Sequence, residues 1–194
     1  VDGRLPLQVL ALLAARGVRP EAREALLREA TACGLDVAPG ADANDLAARL
    51  YEQYKAGKYD EERAFAMMAW VFAGWSEEEV GAFAEQTFLD AGLAGRNRAG
   101  MKAVVGWAHA RGFRVIVVSA SPQVVVERAV RAFNIPAADV MAMRPRVHAG
   151  VIQPEMGAPP TYGNGKVLAV ERALNLPTPA DPGARRPLTL LAAF

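Results

Sequence analysis

The feature that most constrains this chain is a short β-branched run, Phe113-Arg114-Val115-Ile116-Val117-Val118, bounded by Gly112 and Ser119. Its length and residue types suit a buried strand rather than a helix. Helical patterns flank it. One runs from Arg98 to Ala110 and stops at Gly112; the other opens at Ser121-Pro122 and carries Val124, Val125, Arg128 and Ala132. Two further strands are expected, Asp139 to Val147 and Val151 to Gln153, around the turn His148-Ala149-Gly150. A helix then opens at Gly165-Lys166 and continues to Leu174. A Pro-rich link, Pro177 to Pro187, leads to a last strand at Leu188-Thr189-Leu190-Leu191. Helices and strands in alternation predict a parallel sheet with crossover helices.

Residues 1–95 carry helical patterns only. Leu7 to Ala15 is apolar and closes at Gly17, and Pro20 suits the first turn of the next helix. There Ala25, Leu26, Leu27 and Ala30 share a face that ends at Gly34. Leu46, Leu50 and Tyr54 recur at helical spacing up to Gly57, and Asp60 to Ala73 carries Phe65, Met68, Ala69 and Phe72. Ser76-Glu77-Glu78-Glu79 has the pattern of a capping box opening a helix with Val80, Phe83, Ala84 and Phe88. Trp70, Trp75 and Trp107 fall at helical positions and are expected in the core. The division expected is a helical unit at 1–95 and an α/β unit at 96–194.

Composition narrows the function classes. Of 194 residues 52% are hydrophobic, which supports a packed core rather than disorder. The net charge is +1 with both signs interspersed, and no basic stripe with aromatics points to nucleic acid. Cys33 alone can make neither an internal disulfide nor a cysteine zinc cluster. No apolar run approaches the ~20 residues of a membrane span, and Val1-Asp2-Gly3-Arg4-Leu5 does not read as a signal peptide. A cytoplasmic location is expected. Both ends read as cut, because Val1 is not a start and the apolar run to Phe194 simply stops. Oligomeric state is left open.

Ser119 falls at the carboxyl end of the expected strand, the edge where open parallel sheets bind ligands. Ala120, Ser121 and Pro122 lead directly into a helix N-terminus, whose free N–H groups favour an anion such as phosphate. Ser119 and Ser121 are open to a second reading, as caps of that helix. Lys166, after Gly163-Asn164-Gly165, opposes the helix dipole unless an anion sits nearby. The alternative is a solvated surface lysine. His109 and His148 read as surface histidines, and no HExxH, GxSxG or Walker lysine loop is present. Arg63 and Lys58 are candidate contacts for an acidic substrate, or solvated helix charges.

Taken in order, Arg98–Val105, the strand Val115 to Val118, Ser119-Ala120-Ser121-Pro122, the hairpin around Gly150, and Tyr162-Gly163-Asn164-Gly165-Lys166-Val167 resemble the haloacid dehalogenase superfamily. More narrowly, they resemble its phosphoserine-phosphatase-like branch. The resemblance implies an α/β fold: a partial Rossmann-like core, three-layered with a parallel sheet, and an all-helical cap inserted after the first strand. It implies a phosphatase acting on a small phosphorylated metabolite through an aspartyl-phosphate with Mg2+. Ser119, Ala120, Ser121 and Lys166 match the phosphate-binding motifs. The serine hydrogen-bonds the transferring phosphoryl group, and the lysine offsets its charge. The family's Asp-x-Asp-x-Thr loop has one candidate here, Val1-Asp2-Gly3-Arg4-Leu5. Either Asp2 matches the acid/base aspartate, with Arg4 in place of threonine and the nucleophile lacking, or the loop lies upstream and Asp2 belongs to the cap linker. The closeness of Pro6 favours the second. The acidic metal-binding motif is expected beyond Phe194, and Asp181 lies on the wrong side of the last strand for that role. No metal ligand is therefore assigned in this chain, and an inactive relative that binds a phosphorylated ligand or a protein is the alternative function.

Overall fold

The computed structural model describes residues 7–96 and 99–174. The expected link at Pro177–Pro187, the last strand at Leu188, Asp2, Arg98 and Asp181 lie outside the described residues. Helices fill the first half: α1 (Leu7–Ala14), α2 (Arg23–Ala32, entered through a 3₁₀ turn at Pro20–Ala22), α3 (Ala43–Lys55), α4 (Glu61–Trp70) and α5 (Glu77–Asp90). A one-turn step, α6 (Leu93–Arg96), and a longer helix, α7 (Ala99–Ala110), follow. The amphipathic faces read from the sequence meet in one core, where Leu12, Leu26, Leu46, Leu50, Met67, Met68 and Phe72 are fully buried. Trp70 is buried with them, whereas Trp107 is 52% exposed, stacked on Phe113 with Arg111 over its ring. The core expected for Trp107 is therefore not where it sits.

The capping box forms as its pattern predicts. Ser76 Oγ accepts from the Glu79 N–H at 3.1 Å, and the Glu79 carboxylate accepts from the Ser76 N–H at 2.7 Å. Arg19 reaches the same carboxylate at 2.7 Å and also donates to the Gly74 carbonyl at 2.6 Å. The Arg19 hydrogen bond first, and then the Ser76 N–H, hold the Glu79 carboxyl down at about 2. A depressed folded pKa stabilises above the unfolded value and loses that contribution as pH falls through the folded one. Wild type and Glu79→Gln are therefore expected to differ by a constant amount in urea denaturation above about pH 5. The gap should close between about pH 4.5 and pH 2.

The second half holds β1 (Val117–Pro122), α8 (Gln123–Val130), β2 (Val140–Met143), the hairpin β3 (Pro145–His148) and β4 (Val151–Met156), and α9 (Asn164–Leu174). β1 and β2 pair in parallel across α8, and β3 and β4 pair antiparallel. Three sequence expectations need correction. The strand expected at Phe113–Val118 starts four residues later, because Phe113 donates to the Ala108 carbonyl to close α7 and stacks on Trp107 at 5.6 Å. Arg114 is turned toward Asp139, so ladder pairing begins at Val117↔Val140. The strand expected at Asp139–Val147 divides at Arg144: its first part joins the parallel pair and its second the hairpin. His148 ends β3 instead of occupying the turn. The loop is Ala149-Gly150, both at positive φ (48° and 78°), as a tight hairpin requires.

The two halves are bonded together. The core of the helices takes in Val125 of α8 and Ile152 of β4. The Gly74 N–H donates to the Ile152 carbonyl at 3.0 Å and the Ile152 N–H to the Trp75 carbonyl at 2.8 Å, so the hairpin extends onto the α4–α5 turn. Arg128 of α8 pairs with Glu78 and Glu85 of α5, and Arg131 with Glu85. A smaller core of Val105, Val126, Ile135, Val140 and Ala142 lies under the parallel pair.

Candidate active site

Regular pairing of β1 with β2 ends at Val118↔Met141 and resumes only at Pro122↔Met143. The irregular stretch between is Ser119-Ala120-Ser121, where Ser119 Oγ accepts from the Ser121 N–H at 3.1 Å. A side chain that takes a backbone donor in this way competes with the ladder, and the strand bulges. Both serines therefore lie within β1, and neither caps α8. That helix begins at Gln123 with Pro122 as its N-cap residue and no side-chain cap bond. The Gln123 amide is spent on the sheet: it donates to the Val140 carbonyl at 2.9 Å and accepts from the Ala142 N–H at 2.8 Å.

α9 runs along the same pair from its carboxyl edge to its amino edge. The loop leading into it meets the end of β2, where the Thr161 N–H reaches Met143 Sδ at 3.3 Å. Its far end meets the strands' start, where Arg114 donates to the Ala173 carbonyl at 3.0 Å. Lys166, in the first turn of α9, thus belongs to the carboxyl edge that carries Ser119-Ala120-Ser121. It is exposed and has no ion-pair partner among the described residues. The first turn itself is built closely. A Cβ on Gly165 would sit 1.8 Å from the Pro160 carbonyl oxygen, so only glycine lets that loop cross the helix start. Helix α4 packs on β1 and holds Tyr162 through Glu61 and Phe65.

The candidate substrate contacts fare differently. Arg63 is bound within the helices, paired with Glu29 at 2.8 Å beside Tyr59, whose hydroxyl burial and Glu29 push well above its usual range. Lys58 lines a separate surface hollow with Tyr54 and Glu61. A cavity of about 580 Å³ was not legible in the sequence. It lies between the helices and the hairpin, lined among others by Phe72, Glu77, Gln123, Glu127, Arg144 and Arg146, and it touches neither Ser119 nor Lys166. The only local signal was the Arg144-Pro145-Arg146 step at the strand division. Among the described residues no three acidic, histidine or cysteine side chains gather as a metal site. No helix among them is long and apolar enough to cross a membrane.

A parallel pair whose carboxyl edge meets the first turn of a helix is an α/β arrangement, and in open α/β sheets that edge is where ligands bind. The chain belongs to the haloacid dehalogenase-like hydrolase family, whose model matches residues 18–185. A solved structure of a protein of unknown function from Bordetella pertussis Tohama I has the same fold, at 23% identity and a TM-score of 0.58. The match covers 80% of this chain and 67% of that one. No curated protein matches the sequence.

Proposed function

We propose that this chain handles the phosphoryl group in a hydrolase of small phosphomonoesters, of the phosphoserine-phosphatase-like branch. The observation that supports this reading is the convergence of Ser119-Ala120-Ser121 and the first turn of α9 on one carboxyl edge. Phosphate needs hydroxyl and N–H donors plus a cation. Here the Ser119 hydroxyl donates to a phosphoryl oxygen, the Ala120 N–H adds to it, and the Lys166 ammonium offsets the charge, while the Ser121 N–H is held by Ser119 Oγ and orients that hydroxyl. Family chemistry would call for an attacking aspartate, an acid/base aspartate and Mg2+ to neutralise the phosphate; Asp2 is either a remnant of the acid/base position or part of the cap linker, and the closeness of Pro6 favours the linker. The division into a cap at 1–95 and a core at 96–194 belongs to the same proposal.

The test is phosphate release from p-nitrophenyl phosphate by the full-length protein with Mg2+. Lys166→Ala is expected to lower kcat on the order of 10²-fold. Unchanged turnover in that variant removes Lys166 from the reaction. Tight phosphate binding without turnover in the wild type assigns the chain to the inactive relatives that bind a phosphorylated ligand.

A further inference from the structure

Lys166 is exposed and its side-chain rotamers stay free, so what the fold sets is where its Cα–Cβ bond sits and points. That placement is set one loop earlier. The Gly165 N–H donates to the Tyr162 carbonyl at 2.7 Å and the Lys166 N–H to the Gly163 carbonyl at 3.1 Å, so Tyr162 is the upstream anchor of the first turn. Its side chain is gripped by α4 on two sides. The ring stacks on Phe65 with centroids 5.2 Å apart, and the hydroxyl donates to the Glu61 carboxylate. Phe65 is braced in turn by Tyr54 at 6.0 Å. The Glu61 hydrogen bond first, and then desolvation, push the Tyr162 phenol above its ordinary range.

We propose that Tyr162 is a positioning residue for Lys166: clamped by Glu61 and Phe65 of α4, it fixes the first turn of α9 and thereby couples α4 to the cation at the edge. This rests on the reading of Lys166 as a phosphate contact. Glu61 and Tyr162 touch no ligand in it; they act through the turn.

The experiment uses this chain with its lysines reductively ¹³C-methylated, titrated with inorganic phosphate, and read by NMR at the Lys166 signal. In the wild type that signal is expected to move on binding. Tyr162→Phe, which keeps the stack, and Glu61→Ala are each expected to weaken phosphate binding about 5-fold, the worth of one hydrogen bond. The double variant should be no weaker than either single one, because both remove the same bond. Glu61→Gln, still an acceptor, should restore most of the affinity. Wild-type affinity in the single variants, or additive losses in the double, overturns the role of Tyr162 while leaving Lys166 as a contact. A wild-type Lys166 signal that ignores phosphate overturns the Lys166 reading, and this proposal with it.

Discussion

Replacing Phe72 by alanine is expected to destabilise the protein by about 3–5 kcal/mol. The ring is fully buried and packs edge-on against Trp75 and tilted against Phe83, each with centroids 6.2 Å apart. It also walls the large cavity with Ile152 of the hairpin and Val124 of α8. Its removal thus loosens the one core to which both halves contribute. Urea denaturation followed by far-UV circular dichroism should show a single transition moved to lower denaturant, with helices and hairpin lost together. Two separated transitions would mean that the helices and the α/β part unfold independently, and that the bonds between Gly74, Trp75 and Ile152 carry little coupling.

The helices were legible because their signals are local and periodic. The Ser76–Glu79 box, the glycines that stop α2 and α3, and the face of Leu46 and Leu50 all act within a turn or two of themselves. The strands were less so. Phe113 to Val118 has strand composition throughout, yet its first four residues close α7 and reach Asp139. Nothing in a β-branched run shows where a helix cap ends and a ladder begins, because pairing depends on a partner ~20 residues away. The same holds at Arg144, where one apolar stretch serves two sheets.

At the site, residue types were legible and placements were not. Ser119 and Lys166 stood out for their positions beside a strand and a helix start, and α9 begins within a residue or two of where Gly165 marked it. That Gly165 is required by the Pro160 carbonyl rests on how the loop folds back on the helix start, and that Tyr162 is held by α4 rests on a contact across 101 residues that no spacing encodes. Arg63 shows the converse: an arginine on a helix face invites a ligand, but Glu29 of another helix had already claimed it.

Removing the guanidinium of Arg114 should cost as much as losing Phe72, about 3–5 kcal/mol, by a different route. Arg114 Nε lies 2.6 Å from Asp139 Oδ1, and the two side chains are only 16% and 9% exposed. A buried carboxylate left without its cation bears its full desolvation, which is why breaking such a pair costs more than the pair contributes. Arg114→Met should therefore fall steeply in urea stability, and Arg114→Met with Asp139→Leu should recover much of the loss. An equally unstable double variant would show that packing, not the stranded charge, was the cause. The pair also bears on the candidate site, because Nη1 of Arg114 holds the Ala173 carbonyl at the end of α9. With that anchor gone, the far end of α9 loses its hydrogen bond to the strands' start, while its first turn keeps Gly165 and Tyr162. Phosphate affinity should then fall in the stable double variant even as the fold recovers. An unchanged affinity there would show that the first turn alone directs Lys166.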